Sequence, residues 1–506
     1  MTDKVYSFIK KNRVRAYLLI MLFLTLIFYA TCLFDNSNLK SILFFSNTDT
    51  FMDFIHNISG FTGFDVYLWE IGSAYPAGAV LVFKTLRIAV MRDFIEDGST
   101  PLREYQTALI VFFIYMAISA FIAGIAIQAK TKLDRFEKDV LYLIIMLSMP
   151  AVFALERGNI IVLAFALTFI YVAFSESEKK WVRAIAYIAL GLAASIKIYP
   201  AIFGFYTLKK RGFKSALKLA VVGILIFYIT FIPFGGTKAI EGFVRGTLFF
   251  TGSRVVENET SVIKEIVEDS VSYKEEVGSL VEKDSRLTLQ MTDNEEHQVK
   301  NEEKSFLGGM FKTIEKGSLD MGTDYAYNLS FKNGWRLYEN ITGIKTSDRL
   351  RNAVMFLGII LVGLSAAMTK SSWKELLCYS ILMVLAVPFS APYTLLFLLI
   401  PFIYFLNDII PDKDVSEGTD TGADNENKVY ETVGWIIYGI LFAAIIIPYV
   451  SGLSVPTFDK DGQVPLPYRT LINISLLLVM SVVLSVDGVR EAVLKIQKRK
   501  SIKKAE

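Results

Sequence analysis

Long apolar runs alternate with charged stretches along the whole chain. The first run, 16–34, follows Lys10, Lys11, Arg13 and Arg15 and has the roughly 20 residues that a helix needs to cross the hydrocarbon of a membrane. It lacks a small-residue cleavage site, so the pattern predicts a retained anchor and not a signal peptide. Further runs lie at 74–91, 105–128, 139–155, 158–174, 182–208, 215–235, 352–369, 374–389, 392–407, 431–450 and 470–486.

The pattern therefore predicts an all-α polytopic membrane protein with about twelve transmembrane helices. Basic residues flank the first run and also fill the C-terminal tail, which favours cytoplasmic positions for both termini of a multi-pass protein of the plasma membrane. Simple alternation conflicts with this rule at 130–138 and 179–183, whose basic residues it would place outside. Lys197 and Pro200 interrupt the run 182–208, and we expect a broken helix or a re-entrant hairpin there.

The same pattern divides the chain into four regions. Residues 1–235 form an N-terminal transmembrane module with a first external loop at 35–73, and 236–350 form a large external loop. Within that loop, 257–304 is rich in Glu, Lys, Asp and Ser and is interpreted as a solvated insertion. Residues 351–486 carry the C-terminal helices and an acidic linker at 408–430, and 487–506 form a basic tail.

The amino-acid composition excludes several classes of protein and several kinds of site. A mean hydropathy of +0.44 and 53% hydrophobic residues exclude a soluble globular chain, and a net charge of +3 gives no indication of nucleic-acid binding. Only two cysteines and two histidines are present, so we expect no disulfide framework, no metal site and no cofactor. No nucleotide-binding motif is visible.

The first external loop contains two aspartates, Asp49 and Asp53, among aromatic and apolar residues. On an amphipathic helix at the membrane surface, a spacing of four places both carboxylates on one face. A partly desolvated carboxylate there can act as a general base; a pair of solvated loop acids is the alternative. Asp53 lies between Met52 and Phe54, in the more apolar setting, and is the preferred base, with Asp49 as a positioning partner.

A second group of charges lies at or in the membrane. Glu156, Arg157, Gly158 and Asn159 separate two apolar runs, and Lys197 follows after one span. Intramembrane charges are expensive and are functional candidates by default, and an ammonium in a cavity suits a phosphate. Helix-end chemistry at Glu156 and Arg157, and snorkelling of Lys197, are the alternatives.

The order of these features resembles that of the family 87 glycosyltransferases, which are integral-membrane enzymes of the GT-C type. The resemblance rests on the acidic first loop, Tyr75-Pro76 at the start of a span, Glu156-Arg157-Gly158-Asn159, and the segment 191–200 with Lys197-Ile198-Tyr199-Pro200, followed by Lys209-Lys210-Arg211. It is firmest over about 40–235. Asn328-Leu329-Ser330 resembles a short Asn-x-Ser stretch before the later spans, whereas 257–304 departs from the family pattern.

The resemblance implies a GT-C-like bundle that transfers a sugar, mannose or another hexose, from a polyprenyl-phosphate donor to a lipid-linked or cell-envelope glycan. Transfer would proceed with inversion at the outer face of the membrane, with membrane lipid as a further partner. Asp53 or Asp49 would be the base, and Lys197 or Arg157 would face the leaving phosphate. Glu156, Asn159, Tyr199, Tyr75 and Asn328 would complete the substrate site.

Two other functions fit many spans and buried charges. A transporter or flippase of lipid-linked sugars would more often show two similar halves, and the segment 191–200 has no convincing counterpart in 352–486. A glycan polymerase or ligase would share the lipid-phosphate chemistry.

Overall fold

The computed structural model describes residues 12–35, 38–39, 42–43, 50–68, 72–90, 105–250, 327–409, 422–450, 454–459 and 462–505. Residues Met1–Phe243 and Met321–Glu506 form one compact unit. A second unit spans Val244–Asp320, and the described residues reach only 250 within it. The insertion 257–304 and most of the linker 408–430 lie outside the described residues.

The N-terminal half is a succession of helices that follows the predicted apolar runs. These helices are α1 (Arg13–Phe34), α2 (Met52–Gly60), α3 (Ala77–Val90), α4 (Gln106–Lys130), α5 (Arg135–Leu147), α6 (Met149–Arg157), α7 (Ile161–Phe174), α8 (Lys180–Ile196), α9 (Gly204–Arg211), α10 (Phe213–Phe231) and α11 (Thr237–Phe250). Short 3₁₀ turns at Tyr199–Phe203 and Ile232–Phe234 follow α8 and α10.

The C-terminal half is also helical, with one hairpin. Its helices are α12 (Phe331–Thr342), α13 (Asp348–Met368), α14 (Ser372–Leu385), α15 (Leu399–Ile409), α16 (Gly422–Ile446) and α17 (Tyr468–Ala505), with a 3₁₀ segment at Pro392–Leu398 before α15. Strands β1 (Ser454–Asp459) and β2 (Gly462–Pro467) pair antiparallel, from Ser454 opposite Pro467 to Asp459 opposite Gly462. The apolar pattern did not predict this hairpin, since three prolines in twelve strand residues argue against strands.

The structure confirms the all-α polytopic class. Among the described residues, six helices are long and apolar enough to cross a membrane, or seven if the bent pair α5 and α6 is one span. These six to seven are fewer than the twelve apolar runs because several runs fold as shorter helices. One of them, α7, has 14 residues, which reach about 21 Å against a hydrocarbon core of about 30 Å.

The predicted interruption at Lys197 is confirmed. Helix α8 ends at Ile196, Lys197 is extended with φ −141°, and the 3₁₀ turn with Pro200 at its second position precedes α9. Proline lacks the N–H that an α-helix would need and restricts the residue before it. The run 182–208 therefore folds as two helices with an irregular segment between them.

Two helix groups surround a buried centre. In the first, α7 packs between α4 and α8, and α10 covers α8; in the second, α13 and α14 pack with α15 and α17. The span Pro392–Ile409 is 78% buried, whereas Phe213–Phe234 is 17% buried. The former is thus a central element, and the latter exposes an apolar surface of the kind that lipid covers.

A capping box fixes the N-terminus of α5. Asp134 caps α5: its carboxylate accepts from the Glu137 N–H at 2.9 Å, and the Glu137 carboxylate accepts from the Asp134 N–H at 3.1 Å. The bond from the Glu137 N–H, helped by Arg15 of α1, lowers the pKa of Asp134. This capping box fixes where α5 begins, and the contact of Arg15 with Asp134 ties α5 to α1.

Candidate active site

The first loop, 35–73, folds onto the protein at the entry to α2. The N–H of Phe51 donates to the Glu156 carbonyl at 2.6 Å, and the Phe51 ring packs on Phe112 of α4 at 4.5 Å between centroids. Among the described residues, Phe51 is the non-glycine residue with a positive φ, 58°. Such a conformation costs about 1–2 kcal/mol, so contacts on both sides must hold it in place.

Asp53, in the first turn of α2, is the centre of the site. Its Oδ1 accepts from Arg157 Nη2 at 2.6 Å and its Oδ2 accepts from Asn159 Nδ2 at 2.6 Å. The side chains of Asp53 and Arg157 are 16% and 14% exposed. The first loop and the motif 156–159, more than 100 residues apart, therefore meet at one carboxylate whose charge a guanidinium balances.

The amide of Asn159 is held in one orientation. It is 1% exposed, and its Oδ1 accepts the Ile161 N–H at 2.9 Å at the start of α7. Because the oxygen is engaged by a backbone donor, the Nδ2 group is left to donate to Asp53. Asn159 thus orients the Asp53 carboxylate from the side opposite Arg157.

Gly158 makes the turn between these two contacts. It closes α6 in the left-handed conformation, φ 64° and ψ 31°, as helix C-termini commonly require. A Cβ at this position would stand 2.8 Å from Phe54 Cβ and 3.2 Å from the Phe112 ring. The glycine therefore allows the motif 156–159 to approach α2 closely.

Replacing Gly158 with alanine should lower the melting temperature, because backbone strain of about 1–2 kcal/mol adds to overpacking of roughly 1–3 kcal/mol. Gly343→Ala is the matched control: it shares the positive φ, 71°, but has no heavy atom within 4 Å of the added Cβ. Thermal unfolding in detergent measures both variants. Equal losses for the two would show that the close approach at Gly158 contributes nothing.

The far end of α2 is also held. Arg87 of α3 donates to the carbonyls of Ile58 and Ser59 at 2.8 and 3.0 Å, and Lys84 donates to Thr62 and Gly63 at 2.8 Å each. Cations at a helix C-terminus satisfy open carbonyls and favour the helix dipole. Since Phe54 and Ile55 are also buried at 1% exposure, α2 is packed against protein and not only against a membrane surface.

Lys197 lies on the same side of the bundle as Asp53, with Tyr75 between them. Its Nζ stands 4.6 Å from the centre of the Tyr75 ring, and the Tyr75 hydroxyl lies 3.4 Å from Asn57 Nδ2, one turn beyond Asp53 on α2. Among the described residues, no carboxylate forms an ion pair with Lys197 within 4.0 Å. The ammonium thus rests on an aromatic face, and Asp53 is near enough to interact with its charge.

Of the remaining predicted residues, Tyr199 lies in the 3₁₀ turn after Lys197, its ring 6.1 Å from Phe397. Glu156 contributes its carbonyl, as described above. The Asn328 amide joins loops instead: it donates to Pro388 O at 3.1 Å and accepts from the N–H groups of Ser330 and Ser390 at 2.9 and 3.1 Å. Asp49 lies outside the described residues.

One residue of the site was missed from sequence. Tyr393 interacts electrostatically with Asp53, Arg157, Tyr75 and Tyr199, and its ring stands 6.0 Å from Phe153 of α6. Pro392-Tyr393 opens a buried segment much as Tyr75-Pro76 opens α3, and this repetition was the available signal. Within the part of the chain that is described, no three His, Cys, Asp or Glu side chains converge on a metal-sized site.

The fold and site define a polytopic membrane protein in which a carboxylate, a guanidinium and an amide meet, with a lysine at a helix break on the ring of Tyr75. Residues 74–268 match the model of glycosyltransferase family 87. The match confirms the resemblance of this part of the chain to the family 87 glycosyltransferases. It includes Tyr75, the motif 156–159 and Lys197, whereas Asp53 and Asn328 lie outside it. No curated protein and no solved structure matches the chain.

Proposed function

We propose that this glycosyltransferase moves a hexose, such as mannose, from a polyprenyl-phosphate donor to a hydroxyl of a lipid-linked or cell-envelope glycan, with inversion at the sugar. The observation that carries the proposal is the contact of Asp53 with Arg157 and Asn159 at 2.6 Å each. This contact connects Asp53, a carboxylate suited to proton abstraction, with Arg157 and Asn159, which lie in the part of the chain that matches the family.

Inversion needs a single displacement. The acceptor oxygen attacks the anomeric carbon while the bond from that carbon to the phosphate oxygen breaks, and Asp53 takes the hydroxyl proton. The polyprenyl phosphate leaves with the bonding electron pair and needs no general acid. Arg157 and Asn159 fix the carboxylate so that one lone pair can face the acceptor, as preorganised catalysis requires.

The two cations then have different roles. Arg157 was a predicted contact of the leaving phosphate, but its guanidinium binds Asp53, so we assign it to positioning the base. Lys197 forms no ion pair within 4.0 Å among the described residues and is assigned to the phosphate. Tyr75, whose ring faces Lys197, and Tyr199 and Tyr393 form the aromatic surroundings of the sugar. Asn328 is assigned to holding the loop that precedes Tyr393.

The test is incubation of the purified full-length protein with polyprenyl-phosphate mannose and candidate glycan acceptors, with release of polyprenyl phosphate and glycosylated acceptor as readouts. Equal amounts of both products are expected. Movement of the intact lipid-linked sugar across vesicle membranes without either product would establish a transporter and overturn the proposal.

The proposal places the site at the outer face of the plasma membrane, with both termini cytoplasmic. Cysteines introduced at exposed positions in the loops 35–73 and 236–350 should react with an impermeant thiol reagent on intact cells. The native Cys32 and Cys378 are buried and give little background. Labelling that requires cell lysis would reverse the proposed orientation.

Replacing 257–304 with a short Gly/Ser linker should leave a folded and active enzyme, because its composition is that of a solvated insertion and loop closure costs depend weakly on length. Transfer activity and the elution profile on size exclusion measure the two properties. A well-expressed but inactive deletion would instead assign the segment to the acceptor site.

A further inference from the structure

A cavity with a mostly apolar lining lies at the start of α17. Met149 and Phe153 of α6, Pro392 and Ile42 form much of its apolar wall, and Arg469 and Asn473 of α17 supply polar groups. Its volume is about 270 Å³ with the open mouth included. The space clear of its walls holds about one water-sized group, so a larger ligand would extend into the mouth.

Arg469 is a buried cation without a counter-charge in the described part of the chain. It is 4% exposed, and it donates to Ile447 O at 3.1 Å and, at the limit of hydrogen bonding, to Tyr449 O at 3.5 Å. The guanidinium carbon lies 4.2 Å from the centre of the Tyr449 ring, and Nε has no partner. Burial of a guanidinium without an anion is costly, so the site is incomplete as it stands.

Asn473 lies one helical turn after Arg469, on the same face of α17. It is 0% exposed, and neither its Nδ2 nor its Oδ1 has a hydrogen-bond partner among the described residues. A buried amide with both ends unsatisfied is rare and destabilising. Arg469 Nε and Asn473 Nδ2 are unsatisfied donors of two residues that line one cavity, and donors without partners suit a ligand with anionic oxygens.

We propose that this cavity binds the phosphate of a lipid. Phosphate oxygens accept from the guanidinium of Arg469 and from the Asn473 amide, and the lipid chain lies against the apolar wall that includes Phe153. A guanidinium suits phosphate geometry, and the apolar wall selects an amphiphile over free phosphate. The phosphate belongs to a polyprenyl phosphate or to a membrane phospholipid, and the inference does not rest on the proposed function.

The test compares thermal stabilisation and native mass spectrometry of the full-length protein in detergent. The probes are a polyprenyl phosphate, phosphatidylglycerol, inorganic phosphate and an uncharged diacylglycerol. We expect at least one phosphate lipid to bind at least tenfold more tightly than diacylglycerol and inorganic phosphate. Binding of the polyprenyl phosphate alone assigns the cavity to an isoprenoid ligand, and binding of phosphatidylglycerol assigns it to bilayer lipid.

Two variants locate the binding. Arg469→Met and Asn473→Leu should each weaken the phosphate lipid at least tenfold, whereas Lys495→Met, which removes one charge from the exposed far part of the same helix, should bind it as the wild type does. Wild-type affinity in both cavity variants, or equal binding of diacylglycerol, would overturn the proposal.

Asn473→Leu keeps the test informative if Arg469→Met does not fold. Because leucine replaces an unsatisfied amide by an apolar group of similar size, the ligand-free variant should melt at or above the wild-type temperature while losing the response to phosphate lipid. A lower melting temperature with an unchanged lipid response would show that the amide serves packing, and the inference would be rejected.

Discussion

Replacing Asp53 with asparagine should lower sugar transfer by about two to four powers of ten, the usual contribution of a general base. Asparagine keeps the shape of the side chain but cannot accept the acceptor's proton. The substitution also leaves the Arg157 guanidinium, 14% exposed, without its carboxylate. We therefore expect a lower melting temperature together with the loss of turnover, and both are measured on purified protein in detergent.

Two further variants separate the roles. Asp139→Asn, on the exposed side of α5, makes the same chemical change away from the site and should retain full transfer. If Asp49→Asn abolishes transfer while Asp53→Asn retains it, the base is Asp49 and Asp53 is a structural partner of Arg157. Retention of transfer by both variants would contradict the proposed chemistry.

Replacing Lys197 with methionine should lower kcat by about two to three powers of ten. The ammonium contact strengthens as the leaving phosphate gains charge, and such a contact contributes roughly 2–4 kcal/mol in the transition state. Methionine keeps the apolar stem, and the ring of Tyr75, 4.6 Å from Nζ, can still pack on it. Folding should therefore persist.

The split of kinetic constants identifies the role of Lys197. A fall in kcat with a nearly unchanged KM indicates contact with developing charge, whereas a rise in KM alone indicates ground-state binding only. Lys214→Met, an exposed lysine of α10, is the matched control and should leave both constants unchanged. Normal turnover of Lys197→Met would show that this lysine merely snorkels to the membrane surface.

The helical class and the helix break at Lys197 could be predicted from sequence because each depends on local composition. Apolar length marks a helix in a membrane protein, and Pro200 interrupts one wherever it lies. The number of full-length spans was less predictable, because an apolar run has the same composition whether it faces lipid or protein. Helix α7 illustrates this: it is apolar and short, and it packs inside the bundle between α4 and α8.

The residues of the site could be predicted from the sequence, but the contacts between them could not. Charges in apolar surroundings pointed to Asp53, Arg157 and Lys197, yet nothing in the sequence pairs residue 53 with residue 157. That pairing depends on Gly158, whose missing Cβ permits the approach of α2. Tyr393 was missed because a tyrosine beside a proline is unremarkable until the fold brings it to Asp53.

The short helix α7 also bears on how the chain enters the membrane during synthesis. A segment of 14 residues is too short to cross the hydrocarbon by itself, and the preceding pair bends by 49° between α5 and α6. We expect the translocon to release this part of the chain late, once α8 and the central span Pro392–Ile409 are available to cover its polar ends. Nascent chains truncated before residue 392 should thus remain accessible to protease within 149–174, and full-length chains should not.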